Sequence, residues 1–300
     1  MLRLIAAVVA VVLLVAGGAA WYFRSSTTRL TSSAGAALTA SIAGATGSLP
    51  QPRSVIVVVE ENTSYEQIVD ELEHTPYIAS LIKEGALFTH SSGVAHPSQP
   101  NYFAMFAGAV VKNGDGCPAT GVSTTAPNLA AELLAAHRTF RAYAEDLPRA
   151  GFRGCSSGQY ARKHAPWTHF DNIPAQAGVP FSALRSYDAL PDVAFVVPNQ
   201  LDDMHSASRE RADAWLRTHV APIIEWAKHH DALVILTWDE SSALLTNHIP
   251  TIFIGPMVKP GRYDEPVNHY RVLRTIEDLL RLRDHAGQAA EVGPITGVWK

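Results

Sequence analysis

The chain lacks the positive charge that a nucleic-acid binder concentrates. Charged residues occupy only 17% of its 300 positions, the formal net charge is −4, and no Lys/Arg-rich run appears. That excludes recognition through a basic stripe, and no nucleic-acid partner is expected. An anionic small molecule must then be held locally, by a metal, a helix N-terminus or a few cations. Internal repeats are absent. So is the Gly-x-Ser-x-Gly elbow, so a serine nucleophile here needs some other activation. Cysteine is scarce, with Cys117 and Cys155 the whole complement. Apolar residues are plentiful instead, at 47%, enough for one large domain or two small ones.

Met1 and Arg3 precede an apolar run from Leu4 to Phe23, about the length that spans a bilayer. Gly18, Ala19 and Ala20 offer a signal-peptide cut. Trp21 and Tyr22, followed by Arg24, offer the interfacial anchor of an uncleaved helix instead. Residues 1–24 are therefore read as a signal peptide or a transmembrane anchor. Either one exports the remainder of the chain, so the protein is expected to be secreted or anchored to the outer face of the cell membrane. Residues 25–50 are rich in Ser, Thr, Ala and Gly without an aromatic and read as a flexible linker. Residues 51–300 form the folded domain. In an exported chain an even cysteine count favours a Cys117–Cys155 disulfide over free buried thiols. The bridge would close a loop of roughly 38 residues, for about 3–4 kcal/mol.

Buried strands are expected at Ser54–Val59, Val193–Val197, Ala232–Trp238 and Thr251–Ile254, each a continuous apolar or β-branched run. Helices are expected at Pro76–Glu84, from an Asn128 N-cap through His137, at Ser208–His230 with Pro222 kinking or dividing it, and at His269–Leu282. This alternation predicts an α/β fold, a mainly parallel central sheet flanked by helices, preceded by the N-terminal membrane or signal helix. In such sheets ligands bind beyond the carboxyl ends of the strands. Carboxylates succeed two of these strands, as Glu60-Glu61-Asn62 and Asp239-Glu240, and so converge from distant parts of the chain.

Each cluster has a plain alternative when taken alone. Glu61 and Asn62 offer oxygen ligands to a cation, or a solvated strand end. Asp239 and Glu240 suit a metal, or a polar turn. Ser98 lies between Pro97 and Pro100 at the start of a helical stretch. There it either meets phosphate at the helix N-terminus or merely caps the helix. Asn101, one turn on, is placed to donate to a phosphoryl oxygen. Lys163 and His164 lie in a compact basic cluster suited to phosphate binding or proton transfer, or to a solvated loop. Asp202, Asp203 and His205 come after another strand, as ligands, acid–base groups or neither. His248 and His269 are weaker candidates, more in keeping with capping or packing.

In order along the chain, Val57-Val58-Val59-Glu60-Glu61-Asn62, His96-Pro97-Ser98-Gln99-Pro100-Asn101-Tyr102, the Tyr160 to Trp167 segment, Asp203-x-His205, Thr237-Trp238-Asp239-Glu240, Ile249-Pro250-Thr251 and His269-Tyr270-x-Val272-Leu273 resemble the bacterial phosphoesterase family of acid phosphatases and phospholipases C, within the alkaline phosphatase superfamily. The short secreted acid phosphatases are the nearest in pattern, down to Cys117, Cys155 and Glu145-Asp146-Leu147-Pro148. The resemblance implies an alkaline phosphatase-like sandwich at residues 51–300 and metal-dependent hydrolysis of phosphate monoesters through a phosphoserine on Ser98. It implies metal ligands at Glu61, Asn62, Ser98, Asp239 and Glu240. His164 and His205 would be catalytic in the phosphate pocket, with Asn101, Lys163 and Asp203 contacting substrate. Two-zinc members of the superfamily carry His after the second acidic Asp. Glu240 stands there instead, which favours one divalent ion, and oxygen-rich ligation admits Mg, Ca, Mn, Fe or Zn. The substrate would be a small phosphorylated molecule or a phospholipid head group, with the membrane met through the N-terminal helix. The alternatives are a phospholipase C-type phosphodiesterase and an inactive membrane-tethered binding module.

Overall fold

Ser54–Glu60 is buried at every position and sits inside the main sheet. Its run of β-branched residues is apolar on both faces, as a strand covered by helices on both sides must be. A computed structural model describes residues 49–300, residue 243 excepted. The expected N-terminal helix and the linker fall on residues outside this range, apart from residues 49 and 50. Among the described residues no helix is long and apolar enough to cross a membrane.

The main sheet has eight strands in the spatial order Gly261–Tyr263, Ala86–Phe88, Thr251–Ile254, Ala232–Trp238, Ser54–Glu60, Val193–Val197, Phe140–Ala144, Gly178–Pro180. Only Thr251–Ile254 runs against the rest. The mainly parallel α/β architecture expected from the sequence is therefore present. Alternate residues of the central strand feed two separate cores. Val55, Val57 and Val59 pack with Phe103, Phe106, Leu133 and Ile276. Ile56 and Val58 pack with Ile78, Leu81, Leu216 and Ile224. Helices thus cover both faces, and together residues 49–300 make one compact unit.

Helix ends show where local sequence was ambiguous. The long helical stretch divides at Val220 into Arg209–His219 and Ala221–His229, with Pro222 in the first turn of the second piece. There its missing N–H costs nothing. The helix capped by Asn128 ends at Ala135, short of His137, and the terminal helix ends at Leu279, short of Leu282. In both, a non-glycine residue turns left-handed, His137 at φ 57° and Arg281 at φ 54°. The next N–H then closes back, Arg138 onto Leu133 O at 2.8 Å and Leu282 onto Glu277 O at 2.9 Å. No glycine announced either stop. Cys117 and Cys155 are joined in a disulfide.

Candidate active site

Three parallel strands deliver the site. Glu60 pairs with Trp238 across the central ladder, so the next residues on each strand, Glu61 and Asp239, leave the sheet side by side. The Glu61 N–H donates to Asp203 O at 2.8 Å, which ties in the loop after Val193–Val197. Asn62 contributes through its backbone: its N–H donates to Asp239 Oδ1 at 3.2 Å, and its φ of 46° turns the chain there. Glu61, Asp203, Asp239 and Glu240 are all buried at one end of the sheet.

Ser98 opens the helix Ser98–Ala107, with Pro97 before it and Pro100 in the first turn. Its hydroxyl lies 2.9 Å from Glu61 Oε2 and 3.1 Å from Glu240 Oε1. With one proton, it donates to only one carboxylate at a time. Glu240 is held on its other oxygen by His96 Nδ1, at 2.5 Å. Asn101 is committed locally. Its Oδ1 accepts from the N–H groups of Val94 and Ala95 at 2.9 and 3.0 Å, and its Nδ2 donates to Ala95 O at 2.8 Å. The amide thus shapes the loop that carries His96.

His164 lies flat against Tyr102, with ring centroids 5.0 Å apart. Its Nε2 is 3.1 Å from Glu61 Oε1, at an angle that makes no hydrogen bond, and its Nδ1 is 3.5 Å from Asp203 Oδ2. Asp203 Oδ1 accepts from the His205 N–H at 2.8 Å. Lys163 Nζ donates to Asp115 Oδ2 at 2.8 Å and to His205 Nε2 at 3.0 Å. That donation requires Nε2 to be the unprotonated ring nitrogen, with Nδ1–H facing Ser206 Oγ at 2.9 Å.

Burial governs the electrostatics. Glu61 is pushed up to about 7, first by burial, with Lys163 pulling it back. Asp239 and Asp203 are raised well above the carboxylate range by burial and then by Glu61, and Glu240 is raised by burial against the pull of His96. His164 is held far below its usual value by burial and then by Lys163, and His205 is lowered for the same reasons. Burial works against the Lys163 charge, but Asp115 and Glu61 outweigh it and raise its pKa. Buried carboxyls that repel one another beside neutral imidazoles are stabilised by a cation among them.

The donor atoms fit a metal. Glu61 Oε1, Asp203 Oδ2, Asp239 Oδ2 and His164 Nε2 are buried without a hydrogen-bond partner. Glu61, His164 and His205 each present a ligand atom, all within 4.8 Å of one another. This cluster adds two imidazole nitrogens to the oxygen-rich set expected from the sequence.

The structure therefore gathers Glu61, Ser98, Lys163, His164, Asp203, His205, Asp239 and Glu240 at one sheet end. Asp202 is spent on Arg211, at 2.7 and 3.2 Å, and His248 stacks on Tyr65 at 4.3 Å. His269 Nε2 donates to Asp239 O at 2.6 Å, supporting the acidic loop from behind. Sequence reasoning assigned no role to His96, Tyr102 or Asp115. His96 and Tyr102 lay inside the Ser98 motif and were within reach of notice. Asp115 had no local signal, because only the fold brings it to Lys163.

Comparisons with known proteins bear on the family and the reaction class. Residues 71–283 match the model of the Phosphoesterase family. The "Phosphatidylinositol-3-phosphatase" of Mycobacterium tuberculosis is 44% identical over 261 residues, 85% of each chain. The "Phosphate-repressible acid phosphatase" of Penicillium chrysogenum is 28% identical over 72% of this chain and 56% of its own length. Among solved structures, an alkaline phosphatase superfamily protein from Vibrio parahaemolyticus aligns with a TM-score of 0.54 at 16% identity, over 77% of this chain and 67% of that one. The lipoteichoic acid synthase LtaP from Listeria monocytogenes aligns at 0.55 and 12% identity, over 80% and 74%. The family match and the phosphatase-named relatives together define a hydrolase of phosphoric ester bonds. The chain belongs to the Phosphoesterase family.

Proposed function

We propose that the chain hydrolyses phosphate monoesters in two displacements, with Ser98 as nucleophile and a divalent cation bound among Glu61, Asp239, Glu240 and the His164 imidazole. The observation that carries this reading is the Ser98 hydroxyl, buried at a helix N-terminus and in contact with two carboxylates from different strands. A bound divalent ion would lower the pKa of the serine hydroxyl and offset charge on the phosphoryl oxygens. Glu61 and Glu240 orient the Ser98 oxygen, and one of the two takes its single proton as the oxygen attacks phosphorus. The helix N-terminus and Lys163 face the anionic phosphate. Asp115 keeps Lys163 charged and in place. His205, the more exposed of the two histidines, takes a proton on Nε2 as Lys163 turns to the phosphate and delivers it to the leaving alcohol, while His164 stays neutral between Glu61 and Asp203. Water then cleaves phospho-Ser98, with proton transfers reversed.

The name of the mycobacterial relative supports a phosphoinositide among the substrates. The disulfide supports a domain outside the cytoplasm, where the apolar N-terminal run would send it.

Acid quenching during turnover of p-nitrophenyl phosphate should trap phosphate on a peptide containing Ser98. Ser98→Ala should lose nearly all activity and keep its fold. Transfer at a chiral phosphorus should retain configuration, since two inversions cancel. Net inversion would refute the phosphoserine. Preference for the choline diester of p-nitrophenyl phosphate would replace the monoesterase reading with a phosphodiesterase.

A further inference from the structure

Among the described residues four large apolar side chains are notably exposed: Val110 at 43%, Leu134 at 42%, Leu244 at 79% and Leu245 at 98%. The first two are ordinary half-covered positions of a globular surface. Leu244 and Leu245 differ in kind. They are adjacent, nearly bare, and belong to the loop that begins with Asp239 and Glu240.

The base of that loop is firmly tied. Asn247 Oδ1 accepts from the Ser241 N–H at 2.9 Å, and its Nδ2 donates to Ala95 O at 2.9 Å. The Gly93 N–H donates to Asn247 O at 2.9 Å. On the other side Ser242 Oγ meets Ser64 Oγ at 2.8 Å and Gln67 Oε1 at 2.5 Å. One flank is thus fastened to the segment that leads to Ser98, the other to the turn after Glu61. The base of the loop is held beside the site, and its two leucines face water. Nothing in the folding of the domain needs leucine there.

We propose that Leu244 and Leu245 insert into the phospholipid bilayer that presents the phosphorylated head group, so that the mouth of the site opens against the membrane surface. This rests on the phosphomonoesterase reading of the site. A bilayer is the occupant that fits. Two side chains at a loop tip are far too small an area for a stable protein–protein contact, yet a shallow apolar wedge suffices at a lipid interface. The turn that holds Ser242 also has one cationic neighbour suited to anionic head groups. Exposed Arg262 donates to the Tyr65 hydroxyl at 3.3 Å, whereas Arg209 is spent on Gln67 O and on Glu71 at 2.7 Å. Upstream, the sequence carries an apolar run of bilayer length and then a Ser/Thr/Ala/Gly-rich stretch. Such a stretch, at up to about 3.5 Å per residue, keeps the domain near a membrane without prescribing which face meets it. The leucine tip would select that face.

The test uses the full chain, so that wild type and variant share the same N-terminal segment. Leu244→Gln with Leu245→Gln should leave turnover of p-nitrophenyl phosphate and of a short-chain, water-soluble phosphoinositide unchanged. Turnover of the same head group in phosphatidylcholine vesicles should fall about tenfold or more, as the transfer of two leucines is lost. In a Leu245→Trp variant, brominated lipid should quench emission beyond the wild-type level, a readout independent of catalysis. Unaltered vesicle turnover, or absence of quenching, overturns the wedge. Equal loss on soluble and vesicle substrates also overturns it, by making the loop part of the site proper. A dimeric wild type that becomes monomeric on substitution assigns the tip to self-association and overturns it too. If wild type hydrolyses no monoester while Leu245→Trp is still quenched, the reading of the site has failed and the wedge has not.

Discussion

Glu61 meets more demands than any other side chain of the site. One oxygen faces the Ser98 hydroxyl at 2.9 Å, the other faces the His164 ring at 3.1 Å, and both lie in the interior. A lone buried carboxylate would take up a proton. Here that outcome leaves Glu61 Oε1, Asp203 Oδ2 and Asp239 Oδ2 without partners, which is costly for buried polar atoms. A cation among them resolves both problems. Asp239 is the informative position, since Asp239 Oδ1 also anchors the Asn62 N–H. Asp239→Asn preserves that acceptor and removes the charge. Metal retention against a chelator should weaken about tenfold or more, with turnover falling in parallel. Elemental analysis of the purified variant checks this, and full occupancy with full turnover would rule Asp239 out as a ligand.

Helices set the site's geometry and also carry a strain of their own. The helix bearing Ser98 stops at Gly108, which turns left-handed at φ 59°. A Cβ there would lie 2.0 Å from Ala286 O, so glycine is required by close approach as well as by conformation. Beside this helix, Glu132 of the helix Leu129–Ala135 faces Glu277 of the helix His269–Leu279. With both ionised the two carboxylates repel, and a single proton shared between them would relieve that repulsion. Burial first, then Glu132, raises Glu277 to about 9, against the pull of Arg274; burial, with Asp284 adding to it, raises Glu132 to about 7. The Ala286 N–H donates to Glu277 Oε1 at 3.0 Å. A raised folded-state pKa means the folded chain binds more protons than the unfolded one. That stabilisation is complete below the unfolded value near 4.5 and is lost as pH rises through about 7 and then about 9. The melting temperature of wild type should therefore fall across this window. Glu277→Gln keeps a donor toward Glu132 and should flatten the fall. An equally steep decline in the variant would assign the pH dependence to other groups.

At the scale of the whole molecule, the disulfide connects the segment carrying Asp115 to the segment carrying Lys163 and His164. Cys117 lies two positions past Asp115, and Cys155 lies on the segment leading to Lys163 and His164. The Asp115–Lys163 pair at 2.8 Å therefore spans a junction that the bridge closes. Reduction, or Cys117→Ser with Cys155→Ser, should cost about 3–4 kcal/mol in denaturant unfolding. It should also raise KM more than it lowers kcat, because it loosens Lys163 and leaves Ser98 in its helix. Denaturation and steady-state kinetics on oxidised and reduced protein separate these effects. Unchanged stability on reduction would show that packing alone holds the junction.

By itself the sequence determined the parallel sheet, because strands buried on both faces must be written as unbroken apolar runs. It also marked the sheet end at which the carboxylates, Ser98 and the imidazoles gather, because Glu61 and Asp239 directly succeed such runs. The Ser98 helix start was legible from its prolines. Only the tertiary structure decided the partners. The contacts of Asp115 with Lys163, of His96 with Glu240 and of Asn101 within its own loop depend on chain directions that no local pattern encodes. The helix stops at His137 and Arg281 were hidden for a related reason: a left-handed turn at a non-glycine residue is stabilised by the closing bonds and packing around it. Whether a buried carboxylate becomes a ligand, a hydrogen-bonded support or half of a shared-proton pair is set by which charges lie near it in space. Glu61, Asp202 and Glu277 are alike as acids, and only folding gives Glu61 a serine and imidazoles, Asp202 an arginine, and Glu277 another carboxyl.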